Sequence, residues 1–207
     1  MREDGFTIFL IDDDAGVLKS LGRLLRTSGY EIMPFRSPLD FLRAHDPAVP
    51  GCAVLDLAMP YIDGLHLQDK LLRERVERPI IFLSGRGDIS ASVKAMKSGA
   101  VDFLTKPVKR SELLAAVSRA VDMDKQMRQE REKVKSINDR LLLLTPRERE
   151  VLQHVVAGRL NKQIAGALGT VEKTVKVHRG RMMMKLGVRC VADLVRLSER
   201  AGIAPEG

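Results

Sequence analysis

The first 121 residues alternate short apolar runs with longer stretches whose apolar positions recur every three or four residues. The runs at Phe6–Ile11, Glu31–Met33, Cys52–Leu55, Ile80–Leu83 and Val101–Leu104 predict strands. Between them the spacing predicts helices. Val17, Leu18, Leu21, Leu24 and Leu25 share one face, and Ser28-Gly29 closes that helix. Ser37-Pro38 opens a second helix carrying Phe41 and Leu42, and Leu65 to Leu72 forms a third. Ile89, Val93 and Met96 mark a fourth, stopped at Ser98-Gly99, and Leu113, Leu114, Val117 and Val121 mark a fifth.

Strict β–α alternation implies a parallel sheet covered on both faces, which is why the strands are apolar throughout. Five such units in about 120 residues predict a five-stranded, doubly wound, flavodoxin-like α/β domain over 1–121. Residues 122–140 are highly charged and contain neither Gly nor Pro, so they read as a helical linker. A loose apolar repeat through Leu113, Val117, Ala120, Met127, Val134 and Leu141 is broken by Asp124, Arg131 and Asn138, which disfavours a stable coiled coil. Residues 141–207 read as an all-α domain of four short helices. Thr145-Pro146-Arg147-Glu148 is a capping box with Pro at the first helical position, and that helix ends at Gly158. Asn161–Leu168, Val171–Leu186 and Val191–Arg200 follow.

Composition changes this picture in one respect. The chain is 44% hydrophobic, as a globular protein requires, and carries a net charge of +8. Residues 141–207 hold 12 Lys+Arg against 6 Asp+Glu, so nearly all the excess sits in the helical domain and suggests a polyanionic partner there. No apolar run approaches the roughly 20 residues that cross a bilayer, and the acidic start is unlike a secretory signal. Cys52 and Cys190 are expected to be small buried residues of a reducing cytoplasm, in neither a disulfide nor a zinc site.

The candidate chemistry lies at strand ends. Asp12 and Asp13 follow the first strand, Asp56 ends the third, Ser84 ends the fourth and Lys106 follows the fifth. The fold therefore gathers carboxylates, a hydroxyl and an ammonium at one sheet edge. Carboxylates so close repel unless a cation binds among them, and hard oxygen ligands in a small site favour Mg²⁺, with Mn²⁺ as the alternative. Such a site suits phosphoryl transfer, which needs positioning and charge neutralisation above all.

Ile11-Asp12-Asp13-Asp14, Leu55-Asp56-Leu57-Ala58-Met59-Pro60 with Gly64, Leu83-Ser84-Gly85 and Lys106-Pro107 resemble the receiver domains of two-component response regulators. The resemblance spans residues 6–121. It implies Asp56 as phosphoacceptor, Asp13, Asp56 and the Ala58 carbonyl as metal ligands, and Asp12 as a further support for the metal. It also implies Ser84 and Phe103 as the switch pair, and a sensor histidine kinase as phosphodonor. Asp14 reads as a helix-entry cap, and His45, His66 and His154 as structural or surface residues. Arg86 stands where the family places a small residue or histidine and reads as a surface arginine. Ser84-Gly85-Arg86-Gly87 lacks the third glycine of a phosphate-binding GxGxxG.

In the helical domain, about 100° per residue groups Lys173, Lys176, Val177, Gly180 and Met184 on one face of Val171–Leu186. Val171, Val175, His178, Met182 and Leu186 share the opposite face, which predicts a buried, hydrogen-bonded His178. Thr174, Arg179 and Arg181 flank the first face and suit phosphate contacts. Gly180 weakens the helix by about 1 kcal/mol relative to alanine. Leu144-Thr145-Pro146-Arg147-Glu148, Asn161-Lys162-Gln163-Ile164-Ala165 and Thr174-Val175-Lys176-Val177-His178-Arg179 resemble the LuxR-type helix-turn-helix over about 142–200.

Both halves together resemble the NarL/FixJ response regulators, nearest the FixJ branch. That implies a cytoplasmic transcriptional regulator which is not an enzyme. Its expected partners are promoter DNA, a phosphorylation-promoted homodimer and RNA polymerase, with no membrane. Two alternatives use the same residues. One is a constitutive DNA-binding protein with a scaffold receiver. The other follows from Asp12-x-Asp14, which resembles the haloacid-dehalogenase phosphatases. Gly16, however, stands where that family has Thr or Val, and its late acidic pair is missing.

Overall fold

The computed structural model describes residues 5–60, 62–85 and 89–203, so Arg86 and Gly87 lie outside the described residues. The chain divides into two compact units, Met1–Arg128 and Gln129–Gly207.

In the first unit the elements are β1 (Thr7–Ile11), α1 (Ala15–Thr27), β2 (Glu31–Phe35), α2 (Pro38–Ala44), β3 (Gly51–Asp56), α3 (Gly64–Arg73), β4 (Ile80–Ser84), α4 (Ile89–Lys97) and β5 (Asp102–Thr105), followed by α5 (Arg110–Leu142). The strands form one parallel sheet in the order β2-β1-β3-β4-β5. Alternation along each strand sends Ile8, Leu10, Val54, Ile81 and Leu83 to one face, where they pack with Leu25 of α1 and Leu113 and Val117 of α5. Phe9, Ile11, Leu55 and Phe82 go to the other face, with Phe41 of α2, Leu67 of α3 and Ala95 of α4. Phe41 and Phe82 are fully buried, and truncating either to alanine would cost about 3–5 kcal/mol.

The predicted strands all form, with ends displaced by a residue or two. β2 runs on to Phe35 and includes Pro34, which an edge strand tolerates because one side of it makes no ladder. The helix starts follow local chemistry. Asp14 Oδ1 accepts from the backbone N–H of Gly16 at 2.7 Å, Ser37 caps α2 and Asp63 caps α3.

Helix α5 continues without interruption through the charged segment read as a linker. Asp124 is buried, and Arg128 donates from Nε to its carboxylate at 2.8 Å and from Nη1 to the Ala48 carbonyl at 2.8 Å. The helix is thus tied to the first unit as far as Arg128.

The second unit holds the end of α5 with α6 (Pro146–Val156), α7 (Asn161–Ala167), α8 (Glu172–Leu186) and α9 (Val191–Arg200). Its core gathers Ile137, Val151, Leu152, Ile164, Val175, Met182 and Leu194. Thr145 and Glu148 form the predicted capping box. Glu148 is also buried against Lys185 Nζ at 2.6 Å; burial opposes its charge, but this hydrogen bond and that from Thr145 hold its carboxyl below the usual range. Two expectations need correction. Cys190 is exposed, because it stands at the entry to α9 and not inside the core. Val171 is exposed as well, since it precedes the first turn of α8 and not its packed face.

Candidate functional site

The order of strands reverses between β1 and β3, and at that point their carboxyl ends open a crevice. Asp12 and Asp13 leave β1 there, and Asp56 is the last residue of β3. Asp12 and Asp56 are buried and Asp13 is exposed, and one carboxylate oxygen from each lies within 4.8 Å of the other two. Lys106 reaches in from beyond β5. Its Nζ lies 2.6 Å from Asp12 Oδ2 and 2.7 Å from Asp56 Oδ1, so one ammonium bridges both buried carboxylates.

Backbone contacts hold this arrangement. The N–H of Asp14 donates to Asp12 Oδ1 at 2.9 Å, and the N–H of Lys106 donates to the Ser84 carbonyl at 2.7 Å. Gly64 opens α3 directly beneath Asp56, where an added Cβ would lie 2.8 Å from the Asp56 carbonyl oxygen and 2.8 Å from the Phe82 ring. Only glycine lets the helix approach so closely, a requirement that a motif glycine hints at without revealing its cause. Burial pushes the Asp12 carboxyl up, aided by the charge of Asp56 and opposed by Lys106 and the Asp14 N–H. For Lys106, burial works downward, but the hydrogen bonds and charges of Asp12 and Asp56 prevail and hold the ammonium above its ordinary value.

Three carboxylates against one ammonium leave an excess of negative charge on hard oxygen donors. That donor set fits a small divalent cation. Ser84 is buried beside the site at the end of β4, paired with Thr105 across the ladder. Phe103 is half-buried, its ring 6.3 Å from that of Phe82 on the α4 side of the sheet. Ala58 is exposed in the loop after β3.

A second charged surface lies on α8. Val175, Met182 and Leu186 are fully buried, while Lys173, Lys176, Val177, Gly180, Arg181 and Met184 are exposed and Thr174 is half-buried. Lys176 stays 3.6 Å from Glu172 one turn back, a pair so exposed that it binds the lysine weakly. Arg179 is half-buried, and its Nη1 donates to Asn161 Oδ1 at 3.0 Å and braces α8 against α7. His178 is half-buried on the packed side, but among the described residues its enclosed Nδ1 has no hydrogen-bond partner, contrary to the sequence expectation.

Residues 8–118 match the response regulator receiver domain, and residues 142–198 match the luxR family of bacterial regulatory proteins. The chain belongs to the response regulators. It is a two-component regulator of the FixJ kind, with a receiver and a LuxR-type DNA-binding domain. Nodulation protein W of Bradyrhizobium diazoefficiens is 42% identical over 197 residues, covering 95% of this chain and 87% of that protein. The transcriptional regulatory protein FixJ of the same species is 36% identical over 196 residues, covering 95% and 96%. Among solved structures, the response regulator StyR superposes with a TM-score of 0.78 at 42% identity, covering 95% of this response regulator and 99% of that chain. No helix among the described residues is long and apolar enough to cross a membrane.

Proposed function

We propose that this response regulator takes a phosphoryl group from a sensor histidine kinase onto Asp56, and that the phosphorylated form binds promoter DNA through α8. The observation that carries the reading is the Lys106 ammonium bridging Asp12 and Asp56 at the strand-order reversal, with Asp13 beside them. An Asp56 oxygen attacks the phosphorus of the donor's phosphohistidine, the P–N bond breaks, and the imidazole nitrogen gains a proton. Lys106 neutralises one phosphoryl oxygen and Ser84 donates its hydroxyl to another. Asp12, Asp13, Asp56 and the Ala58 carbonyl hold Mg²⁺, which when bound offsets further phosphoryl charge. Ser84 and Phe103 then reorient together, biasing the surface of α4 and α5 toward a homodimer.

Domain limits of 1–121, 122–140 and 141–207 assign the middle stretch to the linker. Lys173, Thr174, Lys176, Val177, Arg179, Gly180 and Arg181 form the DNA-contacting set. The setting is the cytoplasm, the outcome is control of transcription through RNA polymerase, and no multiple-turnover catalysis is involved.

Incubation with acetyl phosphate and Mg²⁺, followed by intact mass and DNA binding, tests this reading. One stoichiometric phosphate that is absent from Asp56→Asn, together with tighter DNA binding, supports it. Repeated turnover of the phosphodonor without a retained phosphate indicates a phosphatase, and DNA binding indifferent to phosphate indicates a constitutive binder.

A further inference from the structure

Nothing among the described residues explains Gly180. It lies in the interior of α8, where glycine is among the poorest helix formers, and its φ is not positive. A Cβ added there would meet nothing within 4 Å, in contrast to Gly64, which the packing around Asp56 demands. Gly166 is also exposed with open space around it, but it stands one residue from the end of α7, where helix preference counts for little. The unit tolerates at Gly180 a residue that weakens the very helix its core depends on.

The surroundings of Gly180 show where the compensation lies. Lys176 precedes it by one turn, Val177 stands beside it 46% exposed, and Met184 follows one turn later 77% exposed. Arg179, the immediate neighbour, turns its guanidinium to Asn161, and the space over Gly180 is open. The result is a notch in the exposed face, with apolar side chains at both ends and lysines toward the helix start.

We propose that Gly180 is the point where α8 comes closest to major-groove DNA, and that its missing side chain is required by the DNA and not by the protein. The proposal rests on the reading of α8 as the helix that binds promoter DNA, the recognition helix. Glycine permits a backbone-to-base approach that any Cβ would hold off. Its cost to the helix is accepted because the approach brings Lys176 and Val177 within reach of base edges.

The test uses the full-length chain with acetyl phosphate and Mg²⁺. A duplex is first selected by the wild-type protein from a randomised library, and an unrelated duplex serves for comparison. Gly180→Ala should raise the melting temperature of the second unit by several degrees, as a better helix former does. The same variant should bind the selected duplex about tenfold more weakly or worse, and the unrelated duplex within about twofold of wild type. Gly180→Val, with more bulk and less helix preference, should lose more affinity while gaining less stability.

Stability and affinity moving in opposite directions is the signature sought. If Gly180→Ala binds the selected duplex as tightly as wild type, or more tightly, the proposal is overturned while the recognition helix stands. If the library yields no enriched sequence, or Lys176→Ala leaves affinity untouched, the recognition-helix reading fails and takes the proposal with it.

Discussion

The pocket around Asp56 and the exposed face of α8 both depend on charged side chains, yet they hold them in opposite ways. In the pocket, two carboxylates are buried, a lysine bridges them at 2.6 and 2.7 Å, and backbone N–H groups orient what remains. On α8 the lysines stand in water and the nearest carboxylate to Lys176 is 3.6 Å away. Burial makes Asp12 and Asp56 dependent on their partners, since an unpaired ion there has no water to fall back on. Exposure leaves each lysine nearly independent, at little cost to the fold until a polyanion arrives. A site for chemistry is therefore expected to fail as a unit, and a reading surface residue by residue.

Substitutions can break this contrast. The largest effect is expected for Asp56→Asn, which should abolish the retained phosphate in an intact-mass assay while the fold persists. A phosphate still acquired in full would move the acceptor elsewhere. Next comes Lys106→Ala, which leaves Asp12 and Asp56 facing one another without their cation. The partial exposure of Lys106 tempers the cost of breaking a buried pair, so roughly 2–3 kcal/mol should be lost in urea melts with chelator. Added Mg²⁺ should restore part of it. Stability unchanged in chelator would mean the bridge contributes nothing.

Smaller effects are expected on the second unit. Lys176→Ala should lower affinity for a selected duplex about tenfold with altered base preference. A loss uniform across sequences, with the salt slope reduced by about one, would instead place Lys176 on phosphates. Smallest is the pH response of Glu148, whose carboxyl in the folded state lies below its ordinary 4.5. Its contribution is fully present above that value and disappears as pH falls through the lower folded-state one. Acid melts of the second unit should show this loss, and Glu148→Gln should flatten it.

The same contrast explains what could be read from the chain. Asp12, Asp56, Ser84 and Lys106 were legible because each ends or follows an apolar run, and parallel strands carry all such ends to one edge. The exposed stripe of Lys173, Lys176, Val177 and Gly180 followed from helical periodicity alone. What depended on how helices meet was not legible. The bond from Arg179 to Asn161 joins residues 18 apart on different helices, and no local pattern announces it. The Asp124–Arg128 pair has an ordinary helical spacing, but nothing local points to the Ala48 carbonyl 80 residues away. His178 was assigned to the correct face, yet periodicity carries no information on the partner its Nδ1 lacks among the described residues.

The edge strand β2 has a consequence of a different kind. Every open sheet presents rows of unused backbone groups on which another molecule's strand can build. Here that margin carries Pro34, which brings no N–H, next to its end, and begins with the exposed charge of Glu31, while the opposite margin is the four-residue β5. Both borders of the sheet are poor templates for edge-to-edge growth. The receiver sheet is thereby guarded against polymerising through its own backbone, and any contact with another molecule there would rest on side chains.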